Sequence, residues 1–147
     1  GVFFQITEIT LRHEGVPIKY MGDGYLCFFS GPNAAQRAFD TALQAKQIIG
    51  DDLRIGLSHG KVYLGSVGHP DYARPDIMGE VVNLAFLTQQ WAETGTQSGI
   101  GATSALTAQL AGAKLGKRER VTFRGIESPV EVCEVRVVGE KLKKKAK

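Results

Sequence analysis

The chain has 147 residues, 43% of them hydrophobic and 22% charged, which is enough for one domain with a buried core and excludes a disordered polymer. Its net charge of +3 is more than accounted for by Lys141, Lys143, Lys144, Lys145 and Lys147, so the body is mildly acidic and the basic excess is a tail. No run of about 18 apolar residues is present to span a bilayer, the segment Gly1–Thr10 lacks the basic head of a secretion signal, and two cysteines, Cys27 and Cys133, read as reduced core thiols of an intracellular domain.

Val2, Phe3, Ile6 and Ile9 recur at helical spacing until Gly15 and Pro17 stop the pattern. This helix opens without a capping residue, which leads us to expect further sequence upstream. Two strands follow, Pro17–Met21 and Tyr25–Phe29, around the tight-turn signal Gly22-Asp23-Gly24. Pro32 opens a helix with Ala35, Ala38, Phe39, Ala42 and Ile49 on one face and Gly50 at its end. Leu53–Leu57 and Lys61–Val67 read as a second hairpin around Ser58-His59-Gly60, followed by a polar loop, Gly68–Pro75. Gly79–Glu93 reads as a helix stopped by Gly95, Gly99–Ala102 as a strand, and Thr103–Leu110 as a helix capped by Thr103. Arg120–Phe123 and Val130–Val137 form the last expected hairpin, with Ser128-Pro129 in its turn region. Paired strands outnumber single alternating ones, which favours an α+β sheet with packed helices over a doubly wound parallel fold. The expected division is a domain over 1–138 and a solvated, disordered basic tail over 139–147.

Asp23 stands between two glycines at a hairpin tip. A backbone there approaches a ligand closely, and a single outward carboxylate suits a hard cation that takes its other oxygens from phosphate. Asp-Gly is also simply good turn chemistry. Lys19 lies four residues earlier on the strand, where a lone lysine is ordinarily solvated. Asp76 precedes the helix containing Asn83, in the run Asp76-Ile77-Met78-Gly79-Glu80-Val81-Val82-Asn83, and by itself reads as a cap or loop residue. An asparagine inside an apolar helix is unfavourable by propensity and is expected to need a partner. His59 has no second ligand in pattern, and Trp91 reads as helix-face packing.

Together these strings resemble the catalytic domain of class III adenylate/guanylate cyclases. The matching pieces are Ile18-Lys19-Tyr20-Met21-Gly22-Asp23-Gly24, Leu53-Arg54-Ile55-Gly56-Leu57 with Gly60, Gly65 and Gly68, Asp76-Ile77-Met78-Gly79 with Val82-Asn83-Leu84-Ala85, and Phe123-Arg124-Gly125-Ile126-Glu127-Ser128-Pro129-Val130. The resemblance implies an α+β, ferredoxin-like, antiparallel-rich sheet with packed helices. It implies a cytoplasmic signalling enzyme, or the cytoplasmic part of a longer and even membrane-bound one. Such an enzyme makes a 3′,5′-cyclic nucleotide and pyrophosphate in a head-to-tail homodimer, with two Mg²⁺ or Mn²⁺ ions.

Carried over residue by residue, Asp23 corresponds to one of two metal-binding aspartates. Lys19 and Asp76 correspond to the pair that reads the purine edge, and Asn83 to the catalytic asparagine that orients the ribose. Arg124 stands where many members place a lysine near the triphosphate. Lysine can donate to adenine N1 and aspartate can accept from the 6-amino group, so ATP is favoured over GTP. Nucleic acid is not an implied partner.

Two departures accompany the match. The family's first metal-binding aspartate lies on an opening strand before the first helix, and no counterpart occurs in this sequence. Leu87 stands where the family usually carries an arginine that stabilises the transition state. The 147-residue chain alone is therefore expected to turn over weakly or not at all, and an impaired, nucleotide-binding or regulatory dimerisation domain is the alternative. A third reading is an interaction module whose lysine tail attracts anionic lipid or nucleic acid.

Overall fold

The computed structural model describes residues 1–67 and 74–137. In chain order the elements are α1 (Val2–Arg12), β1 (Val16–Met21), β2 (Gly24–Phe28), α2 (Ala34–Ile49), β3 (Ile55–Leu57), β4 (Tyr63–Val67), β5 (Arg74–Met78), α3 (Glu80–Gly95), β6 (Ile100–Thr103), α4 (Ser104–Thr107), β7 (Leu115–Val121) and β8 (Val130–Val135). The α+β class and the helix positions agree with the sequence reading. Gly1 caps α1 without a side-chain bond, and Thr103 caps α4 by accepting from the Leu106 N–H at 3.4 Å.

One expected pairing is wrong. Residues 53–57 and 61–67 do not form a hairpin with each other. β3 instead pairs in parallel with β6, from Ile55 opposite Ile100 to Leu57 opposite Ala102. β4 pairs antiparallel with a strand that the sequence reading left out, β5, so Arg74 and Pro75 belong to a strand and not to a polar loop. The remainder of that expected loop, 68–73, and the expected tail beyond 137 lie outside the described residues. Three sheets result: the β1–β2 hairpin, the β4–β5 hairpin, and a four-stranded sheet in the order β3-β6-β8-β7. β6–β8 and β7–β8 are antiparallel, so the larger sheet is mixed, with one parallel pair.

Helices cover both faces of that sheet. On one face Ala35 and Phe39 of α2 and Leu106 of α4 pack with Ile100, Ala102 and Val135. On the other, Leu84, Leu87 and Trp91 of α3 pack on Phe123, Ile126 and Val132. Gly101 lets α3 come close: a Cβ there would lie 3.0 Å from the Trp91 ring and 3.2 Å from Ala92 Cβ. Cys133 is buried and Cys27 half-buried, and both are free thiols. Burial pushes the Cys27 thiol up to about 11, so it is protonated at neutral pH.

A buried carboxylate ties the end of α3 to the sheet. Glu134 is 3% exposed, and its Oε2 accepts from the backbone N–H groups of Gln97 and Ser98, each at 2.8 Å. Burial alone would raise this carboxyl, but those two N–H donors and the Arg136 guanidinium outweigh it and hold it below its ordinary 4.5. A depressed folded-state value stabilises the fold above the unfolded value and loses that contribution as pH falls through the folded one. Glu134→Gln is therefore expected to cost about 1.5 kcal/mol at neutral pH. The gap from wild type should close as the pH is lowered below 4.5, which urea unfolding at a series of pH values will read.

Candidate active site

Lys19 and Asp76 are 57 positions apart in sequence, and the fold brings them together. Lys19 Nζ donates to Asp76 Oδ2 at 3.0 Å, with the side chains 35% and 18% exposed. β1 carries the lysine and β5 the aspartate. The other carboxylate oxygen, Oδ1, accepts from the N–H of Ile77 at 2.8 Å, which fixes its rotamer. One of the three lysine donors is used in this bond. The pair thus sets a donor and an acceptor side by side at a half-open position, a pattern that can address a heteroaromatic edge with one acceptor and one amino group. Lys19 is not the solvated lysine that its position alone suggested, and Asp76 lies within a strand instead of a cap or loop.

Tyr20, next to the lysine, hydrogen-bonds Thr7, and its ring lies 4.8 Å from that of Phe3 and 5.3 Å from that of Tyr25. These contacts anchor β1 to α1. Tyr25 donates to Thr10 Oγ1 at 3.0 Å, and burial pushes its phenol up to about 12.

Asn83, Leu87 and Arg124 share a second, smaller hollow of about 240 Å³ with Phe86, Gly125 and Ile126. Asn83 and Arg124 are exposed. Asn83 is exposed on α3, so water can serve as the partner its amide needs. Leu87 is half-buried and packs on the Phe123–Ile126–Val132 cluster, so it belongs to the core as much as to the hollow. Phe86 was missed in the sequence. Its spacing of three from Asn83, on the same helix face, was the available signal.

Asp23 is exposed in the turn after Met21, where Gly22 has φ +60. It borders a large cleft that includes neither Lys19, Asp76, Asn83 nor Arg124, but that shares Phe86 with the Asn83–Arg124 hollow and includes Ile77, the neighbour of Asp76. Among the described residues no group of three His, Cys, Asp or Glu side chains could hold a metal ion. Asp23 offers a divalent cation one exposed carboxylate, which suits an ion that draws its remaining oxygens from phosphate and water. No described helix is long and apolar enough to cross a membrane.

The fold is that of the class III nucleotide cyclases. The crystal structure of the guanylyl cyclase Cya2 superposes with a TM-score of 0.74 at 24% identity, over 95% of this chain and 78% of that one. The adenylyl cyclase CyaB from P. aeruginosa also gives 0.74, at 19% identity, over 92% and 78%. Residues 1–135 match the adenylate and guanylate cyclase catalytic domain, and the chain belongs to that family. Relatives include the uncharacterized proteins Rv1319c and Rv1320c of Mycobacterium tuberculosis. They are 30% identical over 133 residues and 27% identical over 141, covering 83% and 88% of this chain but 25% of each relative. The chain thus spans about a quarter of the length of the curated relatives it matches.

Proposed function

We propose that this domain converts ATP to 3′,5′-cyclic AMP and pyrophosphate at an interface between two copies arranged head to tail. The observation that carries the reading is the Lys19–Asp76 pair, an aligned donor and acceptor 3.0 Å apart. Lys19 donates to adenine N1, and Asp76 accepts from the 6-amino group. Asn83 holds the ribose so that its 3′-oxygen faces the α-phosphorus. A bond forms from that oxygen to the α-phosphorus, the bond to the β-bridging oxygen breaks, and the hydroxyl proton leaves to water. Arg124, exposed beside Asn83, attracts the polyphosphate. A divalent ion held by Asp23 would neutralise charge on the phosphates.

The site is proposed to be completed by a second copy, since Asp23 does not line the hollow that holds Asn83 and Arg124. The family's other metal-binding aspartate is proposed to come from polypeptide outside residues 1–147. Exposed apolar side chains on the β4–β5 hairpin, Tyr63, Leu64 and Met78, are consistent with self-association.

The test is cyclic AMP formation from ATP with Mn²⁺ in the full-length polypeptide, beside Asp23→Ala. The expected loss in the variant is on the order of 10²-fold or more. Product no higher in wild type than in Asp23→Ala rejects the catalytic reading. The packing of Leu87 into the core favours a second reading, a domain that binds nucleotide and turns over poorly. Wild-type turnover on the order of 1 s⁻¹ or faster rejects that alternative.

A further inference from the structure

Arg124 reaches the hollow of about 240 Å³ from the segment that joins β7 to β8, whereas Asn83 and Leu87 reach it from α3, one helical turn apart. The segment bends tightly at the arginine. The Ile126 N–H donates to the Phe123 carbonyl at 3.1 Å, Arg124 and Gly125 are the two central residues, and Gly125 has φ +83. This is the pattern of a type II turn, whose third position suits glycine.

Both ends of the turn are anchored. Phe123 and Ile126 are buried, at 9% and 8% exposure, and belong with Val132 to the cluster on which Leu87 packs. Arg124, between them, is exposed. The backbone beneath the guanidinium is therefore held, while the guanidinium itself is uncommitted: among the described residues it has no hydrogen bond or ion pair. Among the described residues that line the hollow, Arg124 alone carries a charge.

The proposed reaction needs a cation at this spot. As the 3′-oxygen bonds to the α-phosphorus and the bond to the β-bridging oxygen breaks, negative charge spreads over the nonbridging oxygens around that phosphorus. A donor fixed in advance is worth most there, because it does not reorganise as the charge develops. A guanidinium presents parallel N–H groups that can meet two such oxygens together, which an ammonium on a flexible stem does not. Leu87 can offer no donor. Its packing gives it another part, as the apolar support under the turn that carries the arginine.

We infer that Arg124 is the catalytic cation of this domain, bonding the α-phosphoryl oxygens in the transition state, and that Leu87 is a positioning residue that seats its turn. The inference rests on the cyclase reading and deepens it, from attraction of the polyphosphate to stabilisation of the transferring group.

The test uses the full-length polypeptide with ATP and Mn²⁺. Arg124→Ala should lower kcat on the order of 10²-fold or more, with KM changed by about threefold or less. Guanidinium ion at roughly 50 mM should raise kcat of this variant by about tenfold, and methylammonium should not. A residue that only shaped the turn would not be replaced by a free ion. Arg124→Lys, which keeps the charge, should still fall by about tenfold or more. A loss confined to KM, rescue by both ions or by neither, or full activity in Arg124→Lys overturns the assignment. Leu87→Ala should lower kcat in the wild type by about fivefold or more and cost nothing further in the Arg124→Ala background, because it acts through the arginine. Losses that simply add overturn the positioning role. Wild type that makes no more product than Asp23→Ala rejects the cyclase reading itself, and the inference with it.

Discussion

Exchanging the charges of the base-reading pair, with Lys19→Glu and Asp76→Lys together, should turn a preference for ATP into one for GTP. Guanine presents an N1–H donor where adenine has an acceptor, and a 6-keto acceptor where adenine has an amino donor. The swap reverses the protein's pattern in the same sense. A mismatched base would leave a donor facing a donor and an acceptor facing an acceptor. At a position this open to water the discrimination should be on the order of 10²-fold, less than a sealed pocket gives. Because Lys19 and Asp76 are bonded to each other at 3.0 Å, the single variants behave differently from the double. Lys19→Glu alone sets two carboxylates against each other and should lose both nucleotides. The double variant restores an ion pair, keeps the melting temperature, and should recover turnover of GTP. The ratio of kcat/KM for the two nucleotides, measured in the full-length polypeptide, decides it. An unchanged ratio would remove the pair from base recognition.

The largest expected effect on stability comes from one hydrogen. Gly56 lies in the middle of β3, where the strand passes directly beneath α3. A Cβ at this position would sit 2.2 Å from the carbonyl oxygen of Ala85 and 2.5 Å from the backbone nitrogen of Gln89. Both are main-chain atoms of a helix, so no side-chain rotation relieves the overlap. Strand and helix must separate, which opens the packing that also holds Leu84 and Leu87 on the sheet. Gly56→Ala should cost about 3 kcal/mol, the upper end for overpacking a core. For a domain of this size that lowers the melting temperature by roughly 10 °C. Gly112 serves as the contrast by space alone, since nothing lies within 4 Å of a Cβ there. Its positive φ of +71 nevertheless gives alanine a cost of its own, about 1 kcal/mol, and the comparison should separate the two causes. Equal losses at both positions would deny the close approach of β3 to α3.

Local chemistry made much of this fold legible. Gly22-Asp23-Gly24 is a turn in any context, and the apolar faces of α1 and α2 carry their own period. The failures share one cause. Ser58-His59-Gly60 has the composition of a turn, but β3 finds its partner in β6, some 45 residues later and running parallel, and no local signal encodes that pairing. β5 was hidden because an arginine, a proline and an aspartate in succession look like loop material. They form a strand because β4 supplies the ladder. The site divides in the same way. Asp23 could be singled out from its glycines alone. The closeness of Lys19 to Asp76 entered only as a family resemblance, because two residues 57 apart announce nothing to each other in sequence. Leu87 was noticed for the charge it lacks. Its role in the Phe123–Ile126–Val132 cluster required three dimensions.

Trp91 is the only tryptophan in the chain. Its ring is wedged between the sheet and α3, against the cluster of Phe123, Ile126 and Val132, while its indole N–H reaches Glu119 Oε1 at 3.3 Å. A lone indole at that seam is a native fluorophore. Its emission will redden when α3 lifts from the strands beneath it and stay unchanged when only the β1–β2 hairpin moves, so label-free spectroscopy can tell which part of the domain yields first.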